Sequence, residues 1–242
     1  MKKSVEIYAT PDDLAEKLAE ELVSMILNPG KMKKQFSIAL SGGSTPDLLF
    51  SLLGDQYSNS VPWEYVHFFW GDERCVSPDD PESNYGMVRR NFLDKISIPS
   101  YNIHRIKGED NPETEASIYS NDISNYTMKR DGLPIFDFII LGLGEDGHTA
   151  SIFPENIELL NSDKICEVSV HPVTMQKRIT LTGRVINNAK KVVFLVAGKQ
   201  KAGIIEKIFN KSALAVNFPA FHIVPVYGEL KWIIDKEAAS LL

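Results

Sequence analysis

The chain is 242 residues long, with 43% hydrophobic content and a formal charge of −6. It can therefore bury a full core as one α/β domain spanning residues 1–242, and it lacks the basic surplus that nonspecific nucleic-acid binding needs. No apolar run approaches membrane-spanning length, and Met1-Lys2-Lys3 passes straight into polar and acidic residues, so the cytoplasm is the expected compartment.

Val5 to Tyr8 alternates as a short strand. Pro11-Asp12-Asp13 opens a helix whose Leu14, Leu18, Leu22 and Met25 recur at helical spacing until Asn28-Pro29-Gly30 stops it. Phe36 to Leu40 is a second strand, running into Ser41-Gly42-Gly43-Ser44-Thr45-Pro46 and an apolar helix through Leu48, Leu49, Leu52 and Leu53. Backbone N–H groups at such a helix start, with the Ser44 and Thr45 hydroxyls beside them, favour an anion. A plain helix cap with Pro46 in the first turn would carry the same residues. No Gly-Lys-Ser/Thr follows and Gly-x-Gly-x-x-Gly is missing, so neither a nucleotide P-loop nor a dinucleotide fingerprint is present.

Val66 to Trp70 is a third strand, closed by the charged cluster Gly71-Asp72-Glu73-Arg74 at the same sheet edge. The two cysteines, Cys75 and Cys166, fit neither a disulfide framework nor zinc spacing. Both read as incidental, with a small reserve for Cys75, where Arg74 beside it favours a thiolate. After a Pro- and Asp-rich connection, Ser83-Asn84-Tyr85 caps a helix carrying Met87, Val88, Phe92 and Leu93. His67, and His104 in an expected strand from Asn102 to Ile106, read as packed or hydrogen-bonded residues rather than catalytic ones. Asn111-Pro112-Glu113 begins a mostly polar helix to about Lys129, with Ala116, Ile118, Tyr119, Ile123 and Tyr126 on its buried side and Asp131-Gly132-Leu133-Pro134 ending it.

The densest apolar run, Phe136 to Leu141, ends in Gly142-Leu143-Gly144-Glu145-Asp146-Gly147-His148. Such a run reads as a buried parallel strand whose carboxyl end opens into a loop, the place where open α/β sheets bind ligands. The glycines allow Asp146 and His148 to face a crevice; an ordinary turn with a surface histidine is the alternative. The stretch from Ile152 to Ile165 carries no assignable element. Lys177 to Thr182 alternates as a strand and Gly183 opens a short helix. Lys191 to Val196 is a buried strand leading to Lys199-Gln200-Lys201 and a helix through Ile204, Ile205 and Ile208. Lysines at a helix start oppose its dipole, so they are either solvated surface charge or phosphate ligands. Leu230 to Asp235 is the last strand, before a short terminal helix from Lys236 to Leu242. Strands alternating with helices predict a mostly parallel sheet with helices on both faces.

Taken in order, Ser41 to Pro46, Gly71 to Arg74, Ser83-Asn84-Tyr85, Leu141 to Ser151 with Phe153-Pro154, Arg178-Ile179-Thr180-Leu181-Thr182 and Trp232 to Asp235 resemble the 6-phosphogluconolactonase family over nearly the whole chain. The resemblance implies a modified Rossmann-like α/β fold shared with glucosamine-6-phosphate deaminases. It also implies hydrolysis of 6-phosphoglucono-1,5-lactone in the oxidative pentose phosphate pathway, without metal or organic cofactor. The implied partner is a small phosphosugar lactone, with no nucleic acid or membrane, and the chain is a monomer or small homo-oligomer. Deaminases of that superfamily follow a similar Asp-Gly-His loop with Asn-Glu-Pro; Phe153 stands about where their glutamate would be, and an apolar ring cannot relay a proton. A sugar-phosphate-binding module without chemistry is the third reading.

Under this resemblance His148 is the general base that activates water. Asp146 orients the imidazole or the water, although residues two apart need not meet in space. Arg74 is the candidate for the developing oxyanion or the sugar hydroxyls, and Asp72 for positioning Arg74 or the substrate. The phosphate is expected against the backbone of Gly42, Gly43, Ser44 and Thr45, with Arg178 and Lys201 adding charge-assisted bonds and Lys199 in reserve. His222 receives no role.

Overall fold

A computed structural model describes residues 2–28 and 35–242. Its elements in chain order are β1 (Lys2–Tyr8), α1 (Pro11–Ile26), β2 (Phe36–Leu40), α2 (Ser44–Gln56), β3 (Val66–Trp70), β4 (Asp72–Arg74), α3 (Asn84–Asn91) and α4 (Pro112–Tyr126). There follow β5 (Met128–Arg130), β6 (Leu133–Ile135), β7 (Phe138–Leu141), β8 (Cys166–Val170), β9 (Lys177–Leu181), α5 (Gly183–Ile186), β10 (Lys191–Val196), α6 (Ala202–Phe209) and β11 (Glu229–Asp235). Of the expected helix stop at Asn28-Pro29-Gly30, Pro29 and Gly30 lie outside the described residues.

Continuous apolar runs make strands buried on both faces, and every residue of β2, β3 and β7 is buried. They join β1, β10 and β11 in a six-stranded sheet of order β1-β11-β10-β7-β2-β3 whose pairs are all parallel. The chain moves one way across this sheet from β2 through α2 to β3, and the other way from β10 through α6 to β11. Right-handed crossovers therefore put α2 and α6 on opposite faces, and α1 packs on α2. The direction reverses between β2 and β7, and a crevice outside the carboxyl ends is the place for a ligand at such a switch. Asp137 joins these two strands from 100 positions away: its Oδ2 accepts from the Ser37 N–H at 3.0 Å, and its own N–H donates to the Ser37 carbonyl at 3.0 Å.

The helix starts follow local chemistry. Thr10 and Asp13 form a capping box on α1, with Pro11 in the first turn. Ser83 caps α3 by accepting from Gly86 N–H at 2.9 Å, and Asn111 caps α4 by accepting from Thr114 N–H at 3.0 Å.

Several expectations are corrected. The Asp72–Arg74 cluster is a strand, β4, in a separate antiparallel sheet of order β4-β9-β8 that also takes the expected strand at Lys177. Asn102 to Ile106 is not a strand: Ser100–Asn102 is a short 3₁₀ turn, and only an isolated bridge links Ile103 to Phe68. The helix expected to reach Lys129 stops at Tyr126, and β5 and β6 form a hairpin turned by Asp131 and Gly132, both at positive φ (52° and 79°). Ile118 is 53% exposed rather than buried. Lys236 to Leu242 is a set of turns, not a helix. His67 and His104 do pack, with His67 Nδ1 and His104 Nε2 2.9 Å apart and His104 Nδ1 2.8 Å from Asp122 Oδ2.

Candidate active site

The loops that leave β2, β3, β7 and β10 meet at one end of the parallel sheet around a cavity of about 260 Å³. Of the ten site residues expected from sequence, nine line it: Gly42, Gly43, Ser44, Thr45, Asp72, Arg74, His148, Arg178 and Lys201. The tenth, Asp146, sits behind His148. Lys199 is not among the lining residues, and His222 lies apart with its Nε2 2.7 Å from the Val216 carbonyl.

The β2 loop reaches the cavity because two glycines let it. A Cβ at Gly42 would lie 1.7 Å from Asn84 Oδ1, so the turn can rest on Asn84 only without a side chain, and Gly43 has φ 109°. Gly43 is the N-cap of α2 and no side chain caps that helix, which leaves the first N–H groups to the cavity.

The β7 loop is folded around its own histidine. Gly144 N–H donates to the His148 carbonyl at 2.9 Å, Gly147 N–H donates to the Gly144 carbonyl at 3.1 Å, and Gly147 supplies a φ of 85°. This curls Asp146 back, so that its Oδ1 accepts from His148 N–H at 3.0 Å and lies 2.6 Å from Nδ1. Burial pushes the Asp146 carboxyl up, but the hydrogen bonds and charge of His148 outweigh it and hold the carboxyl below its ordinary range. An ionised acceptor at Nδ1 fixes the proton there and gives Nε2 the lone pair. The ring rests on fully buried Phe153, with centroids 4.6 Å apart.

Cations face this histidine from the antiparallel sheet. Arg74 and Arg178 are register partners in the β4–β9 pair, an arrangement of like charges that costs energy unless an anion joins them. Arg74 Nη1 donates to the Glu82 carbonyl at 2.6 Å, and Arg178 stacks over Phe153 at 5.6 Å. The Nε of each is buried without a partner. Burial first, and the Arg74 charge second, lower the pKa of Arg178. Two half-buried guanidiniums whose Nε donors are buried and, among the described residues, unsatisfied make a setting that suits an anion.

Asp72 does not pair with Arg74. Its Oδ2 accepts from Ser151 Oγ at 2.6 Å, and Asn84 Nδ2 lies 3.4 Å from Oδ1. Glu73, on the other face of β4, accepts from the N–H groups of Arg74, Asn84 and Tyr85 and from Ser83 Oγ, pinning the start of α3. Burial pushes the Cys75 thiol up to about 11, against the thiolate that Arg74 alone would favour and in keeping with an incidental cysteine. Among the described residues, no group of three or more His, Cys, Asp or Glu side chains is arranged to hold a metal ion.

The lining residues that pattern reading passed over are Asn84, read only as part of a helix cap, and Gln200, set between two lysines. Neither is announced by a local pattern: Asn84 reaches the cavity from the start of α3, and Gln200 from the turn after β10.

Comparison with known proteins gives a consistent picture. The family described as glucosamine-6-phosphate isomerases/6-phosphogluconolactonase matches residues 9–232. A 6-phosphogluconolactonase of Aggregatibacter actinomycetemcomitans is 41% identical over 97% of this chain and 98% of its own. One of Haemophilus influenzae is 39% identical over 97% and 98%. The solved structure of 6-phosphogluconolactonase from Trypanosoma cruzi superposes with a TM-score of 0.89 at 30% identity, covering 100% of this chain and 97% of that one. By sequence and by fold, the chain belongs to the glucosamine-6-phosphate isomerase/6-phosphogluconolactonase family.

Proposed function

We propose that the protein hydrolyses 6-phosphoglucono-1,5-lactone to 6-phosphogluconate, acting in the oxidative pentose phosphate pathway in the cytoplasm. The observation that carries this reading is the meeting, in one cavity, of a carboxylate-backed imidazole with two half-buried guanidiniums whose buried Nε donors have no partner among the described residues. The named relatives support the choice of substrate.

In this reading the phosphate lies against the N-terminus of α2, where the Ser44 and Thr45 N–H groups, Arg178 and Lys201 hold it. That anchor sets the lactone carbonyl between Arg74 and His148. Water loses a proton to His148 Nε2 as its oxygen bonds to the carbonyl carbon, and the carbonyl oxygen becomes an oxyanion beside Arg74. Asp146 stabilises the imidazolium formed in that step. When the carbonyl re-forms, the ring C–O bond breaks and the leaving alkoxide takes the proton back from Nε2. The atoms balance with no other reactant. Phe153 occupies the ground beside His148 with a buried ring, so the site holds no second proton carrier there, as a deaminase reading would require.

The test is the loss of freshly generated lactone, corrected for its spontaneous hydrolysis, for wild type and His148→Ala, with glucosamine 6-phosphate deamination in parallel. A general base contributes about 10²–10⁴-fold, so kcat should fall by that factor while KM is largely kept. Deamination by the wild type, or full hydrolysis by His148→Ala, would overturn the reading.

A further inference from the structure

Asp72 is a buried carboxylate that lines the cavity; its charge favours the protonated form of Arg178, but among the described residues it makes no direct ion pair, and its surroundings are uneven. Oδ2 receives a short bond from Ser151 Oγ at 2.6 Å, while Oδ1 has only Asn84 Nδ2 at 3.4 Å, beyond a good hydrogen bond. One oxygen is tied down and the other keeps acceptor capacity toward the cavity.

Ser151 is held as firmly as Asp72. It is fully buried, its N–H donates to Thr180 Oγ1 at 3.2 Å, and its carbonyl accepts from Ser169 Oγ at 2.6 Å. Ser169 is fixed in turn by Asn156 Nδ2 at 2.7 Å, and Asn156 Oδ1 accepts from Phe153 N–H at 2.6 Å. Thr180 and Ser169 belong to β9 and β8. A hydroxyl has one proton to give, and here the antiparallel sheet aims it at Asp72. Ser151 also stands three residues after His148, so this bond joins the loop of the imidazole to the strand of Asp72 and Arg74.

We propose that Ser151 is a positioning residue: by donating to Oδ2 it turns Oδ1 of Asp72 toward the cavity, where that oxygen accepts a bond from a ring hydroxyl of the phosphosugar. The inference rests on the phosphosugar reading of this cavity. Ser151 touches no substrate and acts only through Asp72, so its contribution vanishes when the Asp72 carboxylate is removed.

A double-mutant cycle tests this in two readouts, steady-state lactone hydrolysis and calorimetric binding of 6-phosphogluconate, for wild type, Ser151→Ala, Asp72→Ala and the double variant. A hydrogen bond to a charged group corresponds to roughly tenfold or more. Ser151→Ala should therefore raise KM and the 6-phosphogluconate Kd about tenfold in the wild-type background and less than twofold beside Asp72→Ala. Thermal melts accompany each variant; should Asp72→Ala not fold, Asp72→Asn replaces it, and the effect of Ser151→Ala is again expected to shrink. An equal loss in both backgrounds, which a purely structural serine would give, overturns the inference, as does wild-type KM and Kd in Ser151→Ala. If the wild type binds 6-phosphogluconate but hydrolyses no lactone, the proposed reaction fails while the binding cycle still decides the role of Ser151.

Discussion

Gly144→Ala isolates the base from everything else in the site. The position does not have the positive φ that would strain alanine, so the substitution acts only through the methyl group. That methyl carbon would fall 2.1 Å from His148 Nδ1, 2.4 Å from His148 Cε1 and 2.4 Å from Asp146 Oδ1. Ordinary contact begins near 3.4 Å, so the imidazole must retreat by roughly 1.3 Å, or the Asp146 bond must break. Retreat is opposed by the buried Phe153 ring 4.6 Å away and by the bond between Gly144 N–H and the His148 carbonyl. A misplacement of about 1 Å costs on the order of 10²-fold in rate, and losing the carboxylate from Nδ1 adds to it. We expect kcat for lactone hydrolysis to fall by about 10²–10³-fold with the phosphate anchor, and hence KM, little changed. The melting temperature should barely move, because the methyl group also restricts the unfolded chain by about 0.4–1 kcal/mol. Gly203→Ala is the control: nothing lies within 4 Å of its Cβ, and activity should be untouched. Wild-type kcat in a folded Gly144→Ala protein would refute the assignment of His148 and Asp146 as a working pair.

Three further outcomes are expected. Arg178→Ala removes charged donors from the anion site, so KM for the lactone should rise about 10- to 100-fold with kcat held within a few-fold; an unchanged KM would remove Arg178 from the phosphate. Glu73→Gln sets an amide N–H group against a cluster of four donors, which should cost about 2–4 kcal/mol and lower the melting temperature by roughly 5–15 °C; a shift under about 1 °C would contradict the buried-acceptor account. Burial, reinforced by His104 and opposed by Asp122, lowers the pKa of His67 from 6.5 to about 4. Between those values the unfolded chain binds the extra proton, so this group's contribution is complete above pH 6.5 and is lost as pH falls toward 4. Allowing for partial hydration, it is about 2 kcal/mol. Urea titrations of wild type and His67→Gln across that window should show a shallower pH slope in the variant, and parallel slopes would refute it.

What could be read from the chain depended on which physical signal each segment carries. Phe36–Leu40, Val66–Trp70 and Lys191–Val196 are found at the expected boundaries, because a strand buried on both faces is predominantly apolar and the run stops at or one residue before a glycine. Ligand-facing loops are legible for the same reason: glycine and charge directly after such a run have few other uses. Sheet membership is not written locally, so β4 looked like a loop and β9 was legible as a strand but not as part of a second, antiparallel sheet. Cys166–Val170 alternates weakly and passed unseen. The hairpin turn Asp131-Gly132 had a clear signature but was spent on ending a helix, and the expected strand at Asn102 to Ile106 is irregular chain held to β3 at Ile103 and His104. Ser151 and Asn84 were invisible as functional residues because their placement depends on partners 79 and 12 positions away.

The junction of β2 with β7 carries a kinetic consequence. The proposed phosphate cradle hangs from one of these strands and the imidazole from the other, and Ser37 and Asp137 must close a loop of 100 positions to bring them together. Closing so long a loop is entropically costly before any contact rewards it, so pairing of this kind is slow. The two halves of the site therefore do not coexist in any partially folded state that lacks this strand pair. Recovery of phosphosugar binding during refolding should consequently lag behind helix formation and coincide with the last phase of sheet assembly, making the ligand a clock for the completed fold.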